Sequence, residues 1–159
     1  MMAARPMLRG LVIAAIAVAG AMVLFQDRIW DGFNPTSLRP DDPRTVALGR
    51  EIYGRECAAC HGANLEGQPN WRQRLANGRL TAPPHDETGH TWHHPDAQLF
   101  ELTKYGPAAL AGGGYESDMP AYEDTLQDGE IVAVLSYIKS RWPKPIRDRH
   151  DALNGRSAQ

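Results

Sequence analysis

The chain has 159 residues, of which 23% are charged, and a net charge of −2. That length suits one modest domain plus extensions, and nothing in the charge balance points to nucleic acid. Fifteen glycines and twelve prolines, many in the middle third, predict a loop-rich fold.

Residues 1–9 carry Arg5 and Arg9 and no acid, and residues 10–25 are an uncharged apolar run. A basic start followed by such a run is an export signal. As a helix the run spans about 24 Å, slightly short of a hydrocarbon core of roughly 30 Å. Arg9 can snorkel at one end, and Leu8, Gln26 and Trp30 can extend the segment. Ala17-Val18-Ala19 is a small-x-small cleavage site, but the apolar run continues past it through Phe25. We therefore read residues 1–26 as an uncleaved signal anchor in the cytoplasmic (inner) membrane, with a cleaved signal and a soluble periplasmic product as the alternative. Either way the positive-inside asymmetry puts everything after Phe25 on the periplasmic side.

Residues 27–42 are polar, with Gly32, Pro35 and Pro40, and read as a tether. Asp41-Asp42-Pro43 is a helix start, with an acid as N-cap and proline at the first helical position. The helix is expected to run to about Glu56, with Val46, Gly49 and Tyr53 on one face. A glycine in mid-helix suits a place where another backbone comes close.

Cys57-Ala58-Ala59-Cys60-His61 follows, and it holds both cysteines of the chain. This is the spacing of c-type haem attachment: two thiols add across the vinyl groups as thioethers, and the next histidine becomes the proximal ligand of the iron. A thioredoxin-like redox pair would need a βαβ pattern, which is missing. A zinc site would need histidines in place of a second cysteine pair. The implied cofactor is one covalent haem c, which would also serve as core for a small domain.

Residues 63–86 are irregular, broken by Gly67, Pro69, Gly78, Pro83 and Pro84, with Trp71, Leu75 and Leu80 as packing groups. A second helix is expected over 95–104, with Leu99, Phe100 and Leu102 apolar and Gly106-Pro107 ending it. Before it stand His85, His90, His93 and His94 around Trp92. Such a cluster can bind copper or zinc, or supply a haem ligand. The plainer reading is that His94 caps the helix, Trp92 lies against the haem and the other histidines are solvated. Gly112-Gly113-Gly114 is a flexible segment or one needing positive φ. A last helix is expected from Gln127-Asp128 to Trp142, with Ile131, Val134, Leu135 and Ile138 facing inward and Pro143 stopping it. Residues 143–159 read as a flexible basic tail.

Of the five methionines only Met119 lies beyond the apolar segment. Pro120 stiffens its loop, and a thioether there is suited to be the distal iron ligand, a histidine being the alternative.

On these features residues 43–142 resemble a class I monohaem cytochrome c. The resemblance rests on Gly49 and Tyr53, on Cys57, Cys60, His61 and Gly62, on Met119-Pro120-Ala121-Tyr122, and on Val134 and Tyr137-Ile138. It implies a mainly α fold of three to five helices around covalent haem, with first and last helices crossing at a glycine. It also implies a proline carbonyl, from Pro83 or Pro84 or else Pro69, accepting a hydrogen bond from the proximal His61. The function it implies is one-electron transfer, not enzymic turnover. Expected partners are redox proteins: a cytochrome bc1-type complex, a terminal oxidase or a periplasmic dehydrogenase. Acids around Met119 (Glu116, Asp118, Glu123, Asp124, Asp128, Glu130) would favour a basic partner surface. The alternative function is a haem protein with a labile distal site, or an accessory protein that binds metal through the histidine loop.

Overall fold

A computed structural model describes residues 35–157. The anchor expected over residues 1–26 and the start of the tether lie outside the described residues. Among the described residues no helix is long and apolar enough to cross a membrane.

The fold is mainly helical. Helix α1 spans Pro43–Ile52. It starts as expected: the Asp42 carboxylate accepts from the Arg44 N–H (3.1 Å) and the Thr45 hydroxyl (2.5 Å), and Pro43 occupies the first turn. The chain continues through a π-helical turn, Tyr53–Cys57, into a short helix α2, Ala58–His61. Gly62 ends it at φ +81°, a conformation glycine adopts without strain.

Helix α3 spans Asp96–Tyr105, and Gly106 at φ +79° ends it. A short helix α4, Pro107–Ala111, follows because Pro107 is already set for a first helical turn. Helix α5 spans Asp128–Ser140, and its entry is capped by the Glu130 carboxylate, which accepts from the Gln127 N–H at 2.9 Å. It is the central element. Ile131, Val132, Ala133, Val134, Leu135 and Ile138 are all buried, more than one inward stripe, because α1 and α3 both pack on it.

Helices α1 and α5 cross at Gly49. A Cβ built there would lie 1.9 Å from the Ala133 carbonyl oxygen and 2.9 Å from the Tyr137 Cβ. The Tyr53 and Tyr137 rings meet beside the crossing, with centroids 5.4 Å apart. The crossing expected from the sequence is therefore present, with backbone against backbone.

Three expectations need correction. First, residues 144–157 are no flexible tail. Lys144–Ser157 forms helix α6. Its His150 is fully buried, and the Nε2–H donates to the His94 carbonyl at 2.9 Å. Asn154 exchanges hydrogen bonds with Asp96, accepting from its backbone N–H (2.8 Å) and donating to its carboxylate (3.1 Å). Second, the tether docks before it reaches α1. Leu38 is buried, its N–H donates to Asp96 at 2.9 Å, and the Arg39 N–H donates to the Ser136 hydroxyl at 2.9 Å. Third, Leu75 is exposed rather than a packing group.

Two outcomes follow from this packing. Gly49→Ala should cost about 3 kcal/mol of stability in denaturant unfolding, because the clash is with backbone that cannot rotate away. The second concerns pH. Burial, and then the Lys139 ammonium, hold the His150 imidazole below its ordinary value of 6.5, against the opposing Asp96 carboxylate. Its neutral form is the one that fits, since Nδ1 accepts from the Asn154 amide at 3.3 Å. A depressed folded-state value means that stability is fully present above about pH 6.5 and is lost as pH falls below it. His85 and His90 are shifted in the same direction. The decisive readout is thus a comparison: His150→Gln should lower the thermal midpoint at pH 7 and flatten its fall between pH 7 and 5.

Candidate functional site

The attachment pair sits at the end of the first helical segment. Cys57 is half-buried and Cys60 exposed, and both thiols are free. Burial pushes the Cys57 thiol up to about 11, with the Glu56 carboxylate and Cys60 adding to the shift. The Cys57 side chain is thus presented as a thiol.

His61 follows on the same short helix and is buried. Its Nδ1 lies 2.9 Å from the Pro83 carbonyl oxygen. A carbonyl can only accept, so Nδ1 carries the proton and Nε2 carries the lone pair. Burial lowers the imidazole below its ordinary value while the Pro83 contact opposes that shift. The ring is therefore held neutral, with Nε2 unprotonated.

The turn after His61 explains why Pro83 is in reach. The Gly67 N–H donates to the His61 carbonyl at 2.8 Å, which closes the turn. Within it Leu65 is buried at φ +73°, a strained conformation for a leucine. Its carbonyl accepts from the His85 N–H at 2.8 Å, and the Gln68 N–H donates to the Ala82 carbonyl at 2.9 Å. A Cβ on Gly67 would meet the Pro84 nitrogen at 2.4 Å. Two stretches are thus zipped together, and the Pro83 carbonyl faces the His61 ring. The Tyr53 hydroxyl, donating to the Gly62 carbonyl at 2.8 Å, ties the same turn to the helix crossing.

Met119 comes from far along the chain to pack on the same core as Cys57 and Ala58. Its N–H donates to the Ser117 hydroxyl at 3.1 Å. Three residues on, the buried Tyr122 fixes the loop's exit. Its hydroxyl donates to the Glu56 carbonyl at 2.8 Å, next to Cys57, and its N–H to the Lys104 carbonyl at 3.0 Å.

The sequence reading missed His85 as part of this site. Its ring stacks on His61, centroids 4.0 Å apart and planes 22° apart. Its Nδ1 is 2.8 Å from the Thr91 hydroxyl, and its carbonyl accepts from the Trp142 indole N–H at 2.7 Å. The stack depends on the turn being folded back, which no local pattern announces.

Trp92 packs on the same buried core as Cys57, Ala58 and Met119; it also stacks on His93 and with it lines a shallow surface cavity with Arg149, Ala152 and Leu153 of α6. His94 does not cap α3. Pro95 is the N-cap, the His94 Nδ1 faces the Gln98 side chain, and its carbonyl is the acceptor for His150. His90 stacks on Trp71. Among the described residues no group of three or more His, Cys, Asp or Glu side chains is placed to hold a metal ion.

The donor set fits a covalent haem: two free thiols at the attachment spacing, a neutral imidazole with Nε2 unprotonated, and a thioether. The Thr81 hydroxyl, two residues before Pro83, is buried without a hydrogen-bond partner, as a group that meets a polar atom of a bound cofactor would be. A family model described as cytochrome c matches residues 46–142. The chain belongs to the cytochrome c family. It carries haem c, covalently bound, with Cys57 and Cys60 as the attachment pair.

Among similar proteins is the cbb3-type cytochrome c oxidase subunit FixP of Bradyrhizobium sp. (strain ORS 278), 28% identical over 120 residues, which are 72% of this chain and 38% of that protein. Another is the cbb3-type cytochrome c oxidase subunit CcoP of Azospirillum sp. (strain B510), 28% identical over 114 residues, 70% of this chain and 34% of that one. The chain thus aligns with little more than a third of the length of these relatives. No solved structure matches it significantly.

Replacing Tyr122 by phenylalanine keeps the ring and removes the bond to Glu56. It should cost about 1 kcal/mol in denaturant unfolding of the haem-loaded chain, as for a single net hydrogen bond.

Proposed function

We propose that this cytochrome c is a membrane-anchored, periplasm-facing electron carrier serving a terminal oxidase, with His61 and Met119 as the side chains that would hold the haem iron. When bound, the haem supplies a one-electron iron couple. The chain's own residues do the rest. His61 would hold the iron through Nε2, and the Pro83 carbonyl would make it a stronger donor. Met119 would supply a thioether donor, which raises the potential relative to a histidine. No bond is made or broken, so the fold needs rigidity more than a substrate pocket.

The observation that carries this reading is the Tyr122–Glu56 hydrogen bond, which ties the Met119 loop to the residue before Cys57. A terminal oxidase is favoured as partner because the relatives are named as cbb3-type oxidase subunits. Quinol oxidation by a bc1-type complex, or a periplasmic dehydrogenase, would supply the electrons. A membrane anchor over residues 1–26 would raise the effective concentration near such partners. Of the acids around Met119, Glu116 and Asp118 pair with Arg79, Asp128 pairs with Lys104 and Glu130 caps α5. Salt should therefore slow partner docking only modestly.

The test mixes reduced, haem-loaded chain with oxygenated membranes that contain a cbb3-type oxidase. We expect reoxidation at least about tenfold faster than without membranes, and abolished by oxidase inhibition. Reoxidation by oxygen at the same rate without membranes would contradict the reading.

A further inference from the structure

The segment between the attachment motif and α3 is longer than a minimal domain needs, and electron transfer by itself assigns it no role. Part of it is a tight, well-bonded loop. Arg74 and Leu80 form an antiparallel bridge. The Leu75 N–H donates to the Arg79 carbonyl at 2.8 Å, and the Gly78 N–H to the Leu75 carbonyl at 2.9 Å. The Arg79 N–H donates to the Asn77 side chain at 3.0 Å, and the Arg74 guanidinium to the Gly78 carbonyl at 2.6 Å. This loop projects one side chain, Arg79, onto the loop that carries Met119. The guanidinium meets the Glu116 carboxylate at 3.0 Å and the Asp118 carboxylate at 2.5 Å.

The Met119 loop has unequal ends. Its exit is fixed by Tyr122. Its entry is Gly112-Gly113-Gly114, at φ +62°, +59° and +77°, with open space around all three. Three consecutive glycines give the backbone the widest conformational freedom available. Among the described residues, the side-chain hydrogen bonds that join residues 112–119 to another segment are those of Arg79 with Glu116 and Asp118.

We propose that Arg79 is a positioning residue for Met119: the 74–80 loop is a brace whose double ion pair holds the methionine loop closed and so sets how readily the distal site opens. The proposal rests on Met119 being the distal ligand. Exposed ion pairs add little to global stability. Local opening of a glycine-hinged loop costs much less than unfolding, so a small tie has a large share in it. The brace also couples the distal site to ionic strength, since both pairs are exposed enough to be screened.

The experiment uses the haem-loaded full chain and imidazole as a probe that displaces Met119 from ferric haem. Arg79→Gln should bind imidazole about three- to tenfold more readily at low salt, as loss of two exposed pairs implies. Arg79→Lys should recover part of the difference, and the Glu116→Gln/Asp118→Asn double variant should reproduce the Arg79→Gln effect. High salt should bring the wild type toward Arg79→Gln and leave that variant unchanged. Hydrogen exchange is read in parallel. Residues 112–119 should exchange faster in Arg79→Gln, with α5 unchanged. Equal imidazole binding and equal exchange in wild type and Arg79→Gln would overturn the brace. If wild-type ferric haem lacks a sulfur-to-iron charge-transfer band, Met119 is not the ligand. The exchange of residues 112–119 then decides alone, and equal exchange overturns the brace.

Discussion

The contact on which the site depends is the hydrogen bond from the His61 Nδ1–H to the Pro83 carbonyl. It selects the tautomer, orients the ring and leaves Nε2 free to bind iron. It spans 22 residues, so it exists only if the chain turns back after the attachment motif. That turn needs Gly62 and Gly67 at positive φ, tolerates strain at Leu65, and is tied by Tyr53 to the crossing at Gly49. The His61 ring is thus positioned through the same turn that Tyr53 ties to the crossing of α1 and α5.

A second set of constraints centres on Asp96. This buried carboxylate accepts from the Leu38 N–H and the Asn154 amide, and Lys139 and His150 lie beside it. It joins the segment entering the domain, α3, α5 and α6 in one polar network. Lys139 is buried as well, but its ammonium pairs with Asp151 at 2.6 Å. Removing one partner of such a network leaves a buried charge uncompensated, which costs more than the pair contributes. The network therefore specifies how four segments meet more than it adds to stability.

What the sequence made legible was the chemistry that local spacing carries. The attachment motif, the acid-proline start of α1 and the glycine of the crossing could each be read from a few neighbouring residues, whereas the proline carbonyl came only with the family resemblance, which left Pro83, Pro84 and Pro69 open. Helix α6 could not, because beside Ile146 its inward positions include His150 and Asn154, which periodicity counts as polar. Docking of residues 36–42 was hidden for the same reason: its ties run from backbone N–H groups to side chains nearly 60 or 100 residues away. His85 on His61, and Arg79 on the methionine loop, depend on how the irregular 63–86 segment folds back. No repeat or alternation encodes that path.

The central claim is that the chain presents iron with His61 on one side and Met119 on the other. The most direct test is the ferric absorption spectrum of the haem-loaded wild type. The account expects a low-spin spectrum with a sulfur-to-iron charge-transfer band that Met119→Ala abolishes. A high-spin ferric haem in the wild type, or a band that survives the substitution, would contradict it.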